Sequence, residues 1–163
     1  MGRKRPTIAD LRANKGKYQY SMLRVETLDE LAAAEAAGID MCSVPPEMLT
    51  DTDARQLAPS VFLQPGLNFY EIGTDDDFLR WGFKMFKHGA DAVYCSAGYP
   101  TLKRLAQDNV PVIGHVGLCP SRCTWTGGFK AVGKTAESAM GIWDAVKRLE
   151  EINVVGAEME VVP

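Results

Sequence analysis

The segment from Gly128 to Thr135 reads GFKAVGKT and has the spacing G-x-x-x-x-G-K-T of a phosphate-binding loop. In such a loop backbone N–H groups surround the phosphates, Lys134 would reach their outer oxygens, and Thr135 would hold a magnesium ion. That chemistry also needs a buried strand directly before the loop. The preceding residues, CPSRCTWTGG, contain no apolar run. The sequence therefore favours a glycine-rich loop that enters a helix, with Thr135 as its N-cap, over a nucleotide site.

A second set of potential ligands consists of His115, Cys119 and Cys123. Their spacing, H-x-x-x-C-x-x-x-C, is not one of the common zinc patterns, and no obvious fourth ligand follows in the sequence, so we expect no zinc site. Cys42 and Cys95 lie in apolar runs and are predicted to pack in the core. No export signal is recognisable, which predicts reduced cysteines and a cytoplasmic protein.

The composition of the chain is ordinary, with 163 residues, 46% of them hydrophobic and 24% charged, and a net charge of −3. This size suits one hydrophobic core. The main basic cluster, MGRKRP at residues 1–6, is predicted to be a solvated tail. Apolar runs are too short for a membrane helix. We therefore expect partners other than nucleic acid or membranes.

The elements that must position any site are short apolar runs that alternate with helical patterns. Strands are predicted at 18–25, 40–44, 60–64, 91–96, 111–116 and 156–162. Helical patterns occupy 27–38, with Gly38 as the C-cap, then 45–58, 74–89, 100–109 and the segment after Thr135. Strand and helix repeat about every 25 residues, which is typical of a parallel α/β fold.

Six strands are compatible with a doubly wound sheet or with part of a (β/α)8 barrel. A closed barrel ordinarily needs about 250 residues, and this chain ends at Pro163, directly after a predicted strand. We interpret residues 1–163 as a single TIM-barrel-type domain that covers only about the first six strands. On this interpretation the barrel is truncated or is completed by another chain.

In either topology the functional side chains gather at the carboxyl ends of the strands. This rule selects Arg24, Glu26, Pro45 to Glu47, Gln64 to Asn68, Ser96, His115 and Glu160. Each of them alone could be an ordinary loop residue. Because six strand ends meet at one rim, the sequence predicts a site among them.

The segment PVIGHVGLCPSRCTWTGGFKAVGKTAESA resembles ketopantoate hydroxymethyltransferase, whose family carries a similar PVxGHxGLxPQ…GGYxxxGrT segment. TIADLRANKGK, AAEAAGIDMCSV, HGADAV and AEMEVVP are similar to further segments of that family. The resemblance covers nearly the whole chain and breaks off where the family would add its last two β/α units. It implies a (β/α)8 barrel of the phosphoenolpyruvate mutase and isocitrate lyase group.

The resemblance also implies an activity, the transfer of a one-carbon unit from methylenetetrahydrofolate to 3-methyl-2-oxobutanoate on the route to pantothenate. In the family, magnesium holds the keto acid, a glutamate removes the C3 proton, and the enolate attacks the folate-borne carbon. Glu160 falls on that glutamate. His115 falls on a histidine that would hydrogen-bond a substrate oxygen. We expect a homo-oligomer that binds a small α-keto acid.

Three positions depart from the family's pattern. Pro46 stands where the family has one metal-binding Asp, and the segment from Gln64 to Asn68, which has no carboxylate, aligns with the second. Tyr94 and Ser96 replace a Lys and a Glu of strand four. Magnesium prefers several charged oxygen ligands, so the sequence predicts that the family's metal site is dismantled. Glu47 is the one nearby carboxylate that could substitute.

The remaining residues at these strand ends are predicted to bind substrate: Glu47, Gln64, Tyr94, Ser96 and Lys130. Three functions remain open. The chain is a hydroxymethyltransferase-like enzyme, a divergent carbon–carbon lyase or transferase of the same barrel group, or a non-catalytic partner subunit that has lost its metal site.

Overall fold

The computed structural model of the protein describes residues 3–66 and 72–163. These residues form two compact units. The first unit contains residues 3–66 and Arg80–Val93, and the second contains residues 72–79 and Tyr94–Pro163. The end of the predicted Gln64 to Asn68 segment, from residue 67 onward, lies outside the described residues.

The first unit is built on a parallel sheet in the order β1-β2-β3. Its strands are β1 (Met22–Arg24), β2 (Met41–Val44) and β3 (Phe62–Pro65). The helices along this part of the chain are α1 (Ile8–Ala13), α2 (Leu28–Ala37), α3 (Pro46–Thr50) and α4 (Ala54–Leu57). Helix α5 (Asp75–Lys87) follows residues 67–71.

Local chemistry defines the ends of α2. Thr27 accepts a hydrogen bond from the backbone of Glu30, and the Glu30 side chain accepts one from the backbone of Thr27, which is a capping box. Gly38 ends the helix in the left-handed conformation, at φ 79°, which confirms the predicted C-cap. The predicted helix at 45–58 divides into α3 and α4, because Thr52 Oγ1 donates to the carbonyl of Met48 and closes the first turn.

The core of the first unit lies between one face of the sheet and the helices. Alternate strand residues point to this face, and they pack with apolar residues from α2, α3 and α4. The buried cluster includes Val25, Leu31, Ala34, Cys42, Val44, Met48, Leu49, Ala54 and Leu63. Cys42 is fully buried, as its apolar run predicts.

The carboxylate of Asp91 joins separate segments of the first unit. It accepts hydrogen bonds from Arg55 Nη2 at 2.7 Å and from the backbone N–H of Leu63 at 2.9 Å, and it pairs with Arg5 Nε at 3.2 Å. Arg3 donates to the carbonyl of Ile39 at 2.7 Å. The N-terminal basic cluster, which the sequence predicts to be solvated, is therefore held to the unit by two of its arginines.

The second unit has a three-stranded sheet in the order β4-β5-β6. Its strands are β4 (Val93–Tyr94), β5 (Val112–Gly117) and β6 (Gly156–Glu160), and β5 and β6 are parallel. The remaining elements are α6 (Tyr99–Gln107), a 3₁₀ turn (Pro120–Arg122), α7 (Cys123–Thr126) and α8 (Ala136–Glu151). Cys95, just after β4, is fully buried, as predicted.

Helix α8 begins at Thr135, whose side chain accepts a hydrogen bond from the backbone of Ser138 while Ser138 caps Thr135 in return. The predicted N-cap is confirmed. The helix packs on β5 through Leu149, and a Cβ at Gly114 would lie 3.0 Å from Leu149 Cδ1. A glycine at this position therefore sets how closely helix and strand approach.

All six predicted strands and all five helical patterns are confirmed in place, although β1, β4 and β6 are shorter than their predicted ranges. Among the helices of the described ranges, none has both the length and the apolarity needed to cross a membrane.

Candidate functional site

The carboxyl ends of the strands in the second unit bring three of the predicted residues together. The register pairs His115 with Glu158 and Gly117 with Glu160. The backbone N–H of Leu118 then donates to the carbonyl of Glu160 at 2.9 Å. Tyr94 reaches His115 from β4. Tyr94, His115 and Glu160 therefore form the centre of the candidate site.

Both ring nitrogens of His115 contact protein atoms. Nε2 lies 2.6 Å from the carbonyl oxygen of Leu118, and Nδ1 lies 2.5 Å from the hydroxyl of Tyr94. A carbonyl oxygen can only accept, so Nε2 carries a proton and donates it to Leu118. With Nε2 as the donor to Leu118, Nδ1 can accept from the Tyr94 hydroxyl. The surrounding bonds therefore suit the Nε2–H tautomer of the imidazole.

Tyr94 is well suited to remain a donor. Burial raises the pKa of its phenol above the ordinary range, and the negative charge of Glu158 raises it further. A group that keeps its proton can hold the Nδ1 side of His115 throughout the neutral range. Tyr94 therefore serves to orient the imidazole.

Glu160 is positioned beside the imidazole without a hydrogen bond to it. Its Oε2 lies 3.7 Å from His115 Nε2, and the His115 side chain is 2% exposed while that of Glu160 is 34% exposed. The carboxylate is thus the member of the pair that solvent and a ligand can reach. Glu158 is a second acid on β6 that was not among the predicted site residues. The sequence does show it, because residues two apart on a strand lie on the same face and Glu158 precedes Glu160 by two residues.

An open cavity of about 280 Å³ adjoins His115. Its lining includes Ser96 after β4, His115 and Val116 on β5, Arg122 in the 3₁₀ turn, and Ile142 on α8. Arg122 Nη2 donates to the carbonyl of Ser96. A smaller cavity of about 170 Å³ shares His115, Val116 and Arg122 with it. Arg122 is a residue that the sequence analysis missed, since only the folding of its loop toward β4 brings it here.

The other predicted residues lie in different settings. Ser96 lines the larger cavity. Lys130 is exposed, and its Nζ lies 3.1 Å from where a Cβ of Gly127 would be, so it curls over its own loop. In the first unit, Gln64 is 2% exposed and its Oε1 has no hydrogen-bond partner among the described residues. Glu47 is in the first turn of α3, within the first unit.

The donor set at the predicted metal positions does not fit magnesium. Pro46 is in the first turn of α3 and offers no side-chain donor, Glu47 is a single acid in the same turn, and Gln64 supplies a neutral amide. Magnesium sites in proteins use carboxylates in octahedral geometry. In the described part of the chain no group of three or more His, Cys, Asp or Glu side chains could hold a metal ion. His115, Cys119 and Cys123 are among the residues to which this statement applies.

The segment that resembles a phosphate-binding loop has a different context from a nucleotide site. It is preceded by the 3₁₀ turn Pro120–Arg122 and by α7, where a P-loop would need a buried strand. Gly127, Gly128 and Gly133 adopt positive φ angles. The favoured interpretation, a glycine-rich loop that enters a helix, is confirmed.

Comparison with known proteins identifies the lineage. The family model of ketopantoate hydroxymethyltransferase matches residues 46–163. The 3-methyl-2-oxobutanoate hydroxymethyltransferase of Pyrobaculum neutrophilum is 30% identical over 98% of this chain and 69% of its own length. That of Thermus thermophilus is 32% identical over the same shares. The chain belongs to the ketopantoate hydroxymethyltransferase family, and the predicted resemblance is confirmed.

Solved structures agree on the fold. The 2,3-dimethylmalate lyase structure, a PEP mutase/isocitrate lyase superfamily member, matches 95% of this chain and 63% of its own with a TM-score of 0.63 and 12% identity. A putative deoxyribose-phosphate aldolase from Coccidioides immitis matches 91% of this chain and 69% of its own with a TM-score of 0.59 and 11% identity. At these identities the likeness concerns the fold alone. The predicted barrel class, covered over about six strands, is confirmed.

Proposed function

We propose that this protein transfers a hydroxymethyl unit from methylenetetrahydrofolate to a short α-keto acid, as in the synthesis of pantothenate. Its family and the names of its relatives support a one-carbon transferase that acts on 3-methyl-2-oxobutanoate. The observation that carries the proposal is the position of Glu160, whose carboxylate is accessible and lies 3.7 Å from Nε2 of His115.

Glu160 acts as the general base. It takes the proton from C3 of the keto acid, and the electron pair of the broken C–H bond passes into the enolate, whose charge develops on the ketone oxygen. His115 supplies the Nε2–H beside that carboxylate. The ring donates to the developing oxyanion in place of the Leu118 carbonyl, and the bond from Tyr94 keeps the proton on Nε2 during the exchange.

The second half of the reaction forms the new carbon–carbon bond. Water adds to the one-carbon unit while both of its bonds to folate nitrogens break, and the two nitrogens take up the protons of the water. C3 of the enolate then attacks the resulting aldehyde carbon, and the alkoxide so formed takes the proton held by Glu160. Because the donor set of the described residues does not fit magnesium, no step is assigned to that ion.

The test is exchange of the C3 proton of 3-methyl-2-oxobutanoate in heavy water, followed by proton NMR with and without folate. We expect exchange by the unaltered protein and a loss of about 10²–10⁴-fold in rate for Glu160→Gln. Glu151→Gln removes an exposed acid at the end of α8 and should leave the rate unchanged. Exchange at the unaltered rate in Glu160→Gln, or none in the original protein, would overturn the proposal.

A further inference from the structure

We propose that Arg122 binds the carboxylate of the keto acid in the 280 Å³ cavity and thereby selects short aliphatic 2-oxo acids. The inference deepens the proposed function by naming the residue that recognises the charged end of the substrate. It rests on that function for the identity of the ligand, whereas the binding itself requires neither folate nor turnover.

The position of Arg122 is set by the backbone on both sides of the site. Its own N–H donates to the carbonyl of Cys119 at 2.9 Å, which closes the 3₁₀ turn after β5. Its guanidinium donates to the carbonyl of Ser96, just beyond β4. The side chain therefore spans from the β5 loop to the end of β4, and it forms part of the wall of both cavities that contain His115.

The charge of the larger cavity comes from this one residue. Among the described residues that line it, Arg122 is the only side chain, apart from His115, that can carry a positive charge. A guanidinium has five N–H donors in a planar fork, and this fork matches the two oxygens of a carboxylate. In a partly enclosed site such a charge-assisted pair is stronger than an exposed one.

The rest of the wall suits an aliphatic chain. Val116, Val132, Ile142 and Ala145 supply apolar surface, while Ser96 and Ser138 are neutral. The volume of about 280 Å³ lies just below the range of about 300–1,000 Å³ found for drug-sized ligands. An anion of a few carbons with a branched apolar end fits this combination of one cation and an apolar wall.

The experiment compares two ligands with the same carbon skeleton, one of which is charged and the other neutral. Dissociation constants of 3-methyl-2-oxobutanoate and of its uncharged amide, 3-methyl-2-oxobutanamide, are measured by ligand-observed NMR with the full chain and without folate. We expect the acid to bind about tenfold or more tightly than the amide. Arg122→Met should bring the two constants to within about twofold of each other, and Arg122→Lys should restore part of the preference because it keeps the charge without the fork.

Arg104→Met is the matched control, since it removes an arginine of α6 that pairs with Asp108 and lines neither cavity. It should keep the full preference. Binding of the amide shows that the cavity of each variant is intact. If Arg122→Met does not fold, the comparison is made with Arg122→Lys alone. Equal binding of acid and amide by the original protein, or an unchanged preference in both Arg122 variants, would overturn the assignment.

Each of the two proposals can be contradicted without contradicting the other. Loss of the acid preference in the Arg122 variants together with no C3 exchange in the original protein would leave the carboxylate site standing and remove the reaction. Exchange that depends on Glu160, with no role for Arg122 in binding, would do the reverse.

Discussion

The hydroxyl of Tyr94 lies 2.5 Å from Nδ1 of His115, and the opposite nitrogen of the same ring lies 2.6 Å from the carbonyl oxygen of Leu118. Since the carbonyl must accept, the ring is protonated at Nε2, next to Glu160. The Leu118 carbonyl thus determines which nitrogen of His115 carries the proton, and Tyr94 on β4 contacts the other nitrogen.

Removing this hydroxyl should alter how stability depends on pH. The pKa of Tyr94 is raised by burial and by Glu158, so the folded protein holds the phenol proton more tightly than the unfolded chain does. The resulting stabilisation is complete below about pH 10 and is lost as the pH rises through the folded pKa. Urea unfolding at pH 8 and pH 11 should show a smaller loss of unfolding free energy for Tyr94→Phe than for the original protein.

Tyr99→Phe, on α6, is the control for this measurement, because it removes a phenol outside the group of Tyr94, His115 and Glu160. It should lose as much stability between the two pH values as the original protein. Equal losses in all three proteins would contradict the role given to Tyr94.

The approach of β6 to β5 depends on Gly117. This residue has φ 89°, and a Cβ on it would collide with the carbonyl oxygen of Glu160 and lie 2.8 Å from Val162 Cγ2. Gly117→Ala should therefore lower the free energy of unfolding by about 2–4 kcal/mol and displace Glu160. Chemical denaturation measures the first effect, and the rate of C3 proton exchange measures the second.

Gly141→Ala makes the same chemical change within α8, where a Cβ would meet nothing within 4 Å. An alanine is favoured over glycine inside a helix, so this variant should gain about 0.5–1 kcal/mol. A Gly117→Ala variant as stable as Gly141→Ala would show that β5 and β6 can shift without cost.

The four cysteines should separate into two classes of reactivity. Cys42 and Cys95 are fully buried, and burial raises the pKa of each thiol to about 11. Because the thiolate is the nucleophile, both should resist a thiol reagent such as DTNB at pH 8 in the folded protein. Cys119 and Cys123 are only half-buried and should react. We expect two thiols per chain to react quickly in the folded protein and four after denaturation. Fast labelling that persists in a Cys119→Ser, Cys123→Ser double variant would contradict this division into two classes.

Much of this molecule could be predicted from sequence, because strand burial and helix capping are local properties. The apolar runs located all six strands, and Gly38 and Thr135 marked helix ends through their own backbone chemistry. The strand-end rule brought His115 and Glu160 into one group, since residues at the ends of neighbouring parallel strands must be close.

The positions of side chains in the loop after β5 could not be predicted, because they depend on the conformation of that loop. Lys130 was expected to face the substrate, but its loop turns through three glycines at positive φ, and the side chain is exposed over Gly127. Whether Lys130 binds substrate stays a prediction. The residues around Arg122 in the sequence do not indicate that it lies at the site, because its contact with Ser96 depends on how the turn after β5 folds back toward β4. Side-chain partners across a loop of this kind follow from tertiary structure alone.

The first unit depends on an ion pair that is largely removed from solvent. The side chains of Asp91 and Arg55 are 16% and 20% exposed, and Arg55 also donates to the carbonyls of Ala58, Val61 and Gly89. Asp91→Asn leaves this guanidinium without its counter-charge and should cost about 2–4 kcal/mol. Glu26→Gln breaks the exposed pair with Arg24 and should change stability little, since water and salt screen such pairs. Urea denaturation of both variants at neutral pH makes the comparison. Similar small losses would mean that Arg55 is held by the three carbonyls and that its pairing with Asp91 contributes little.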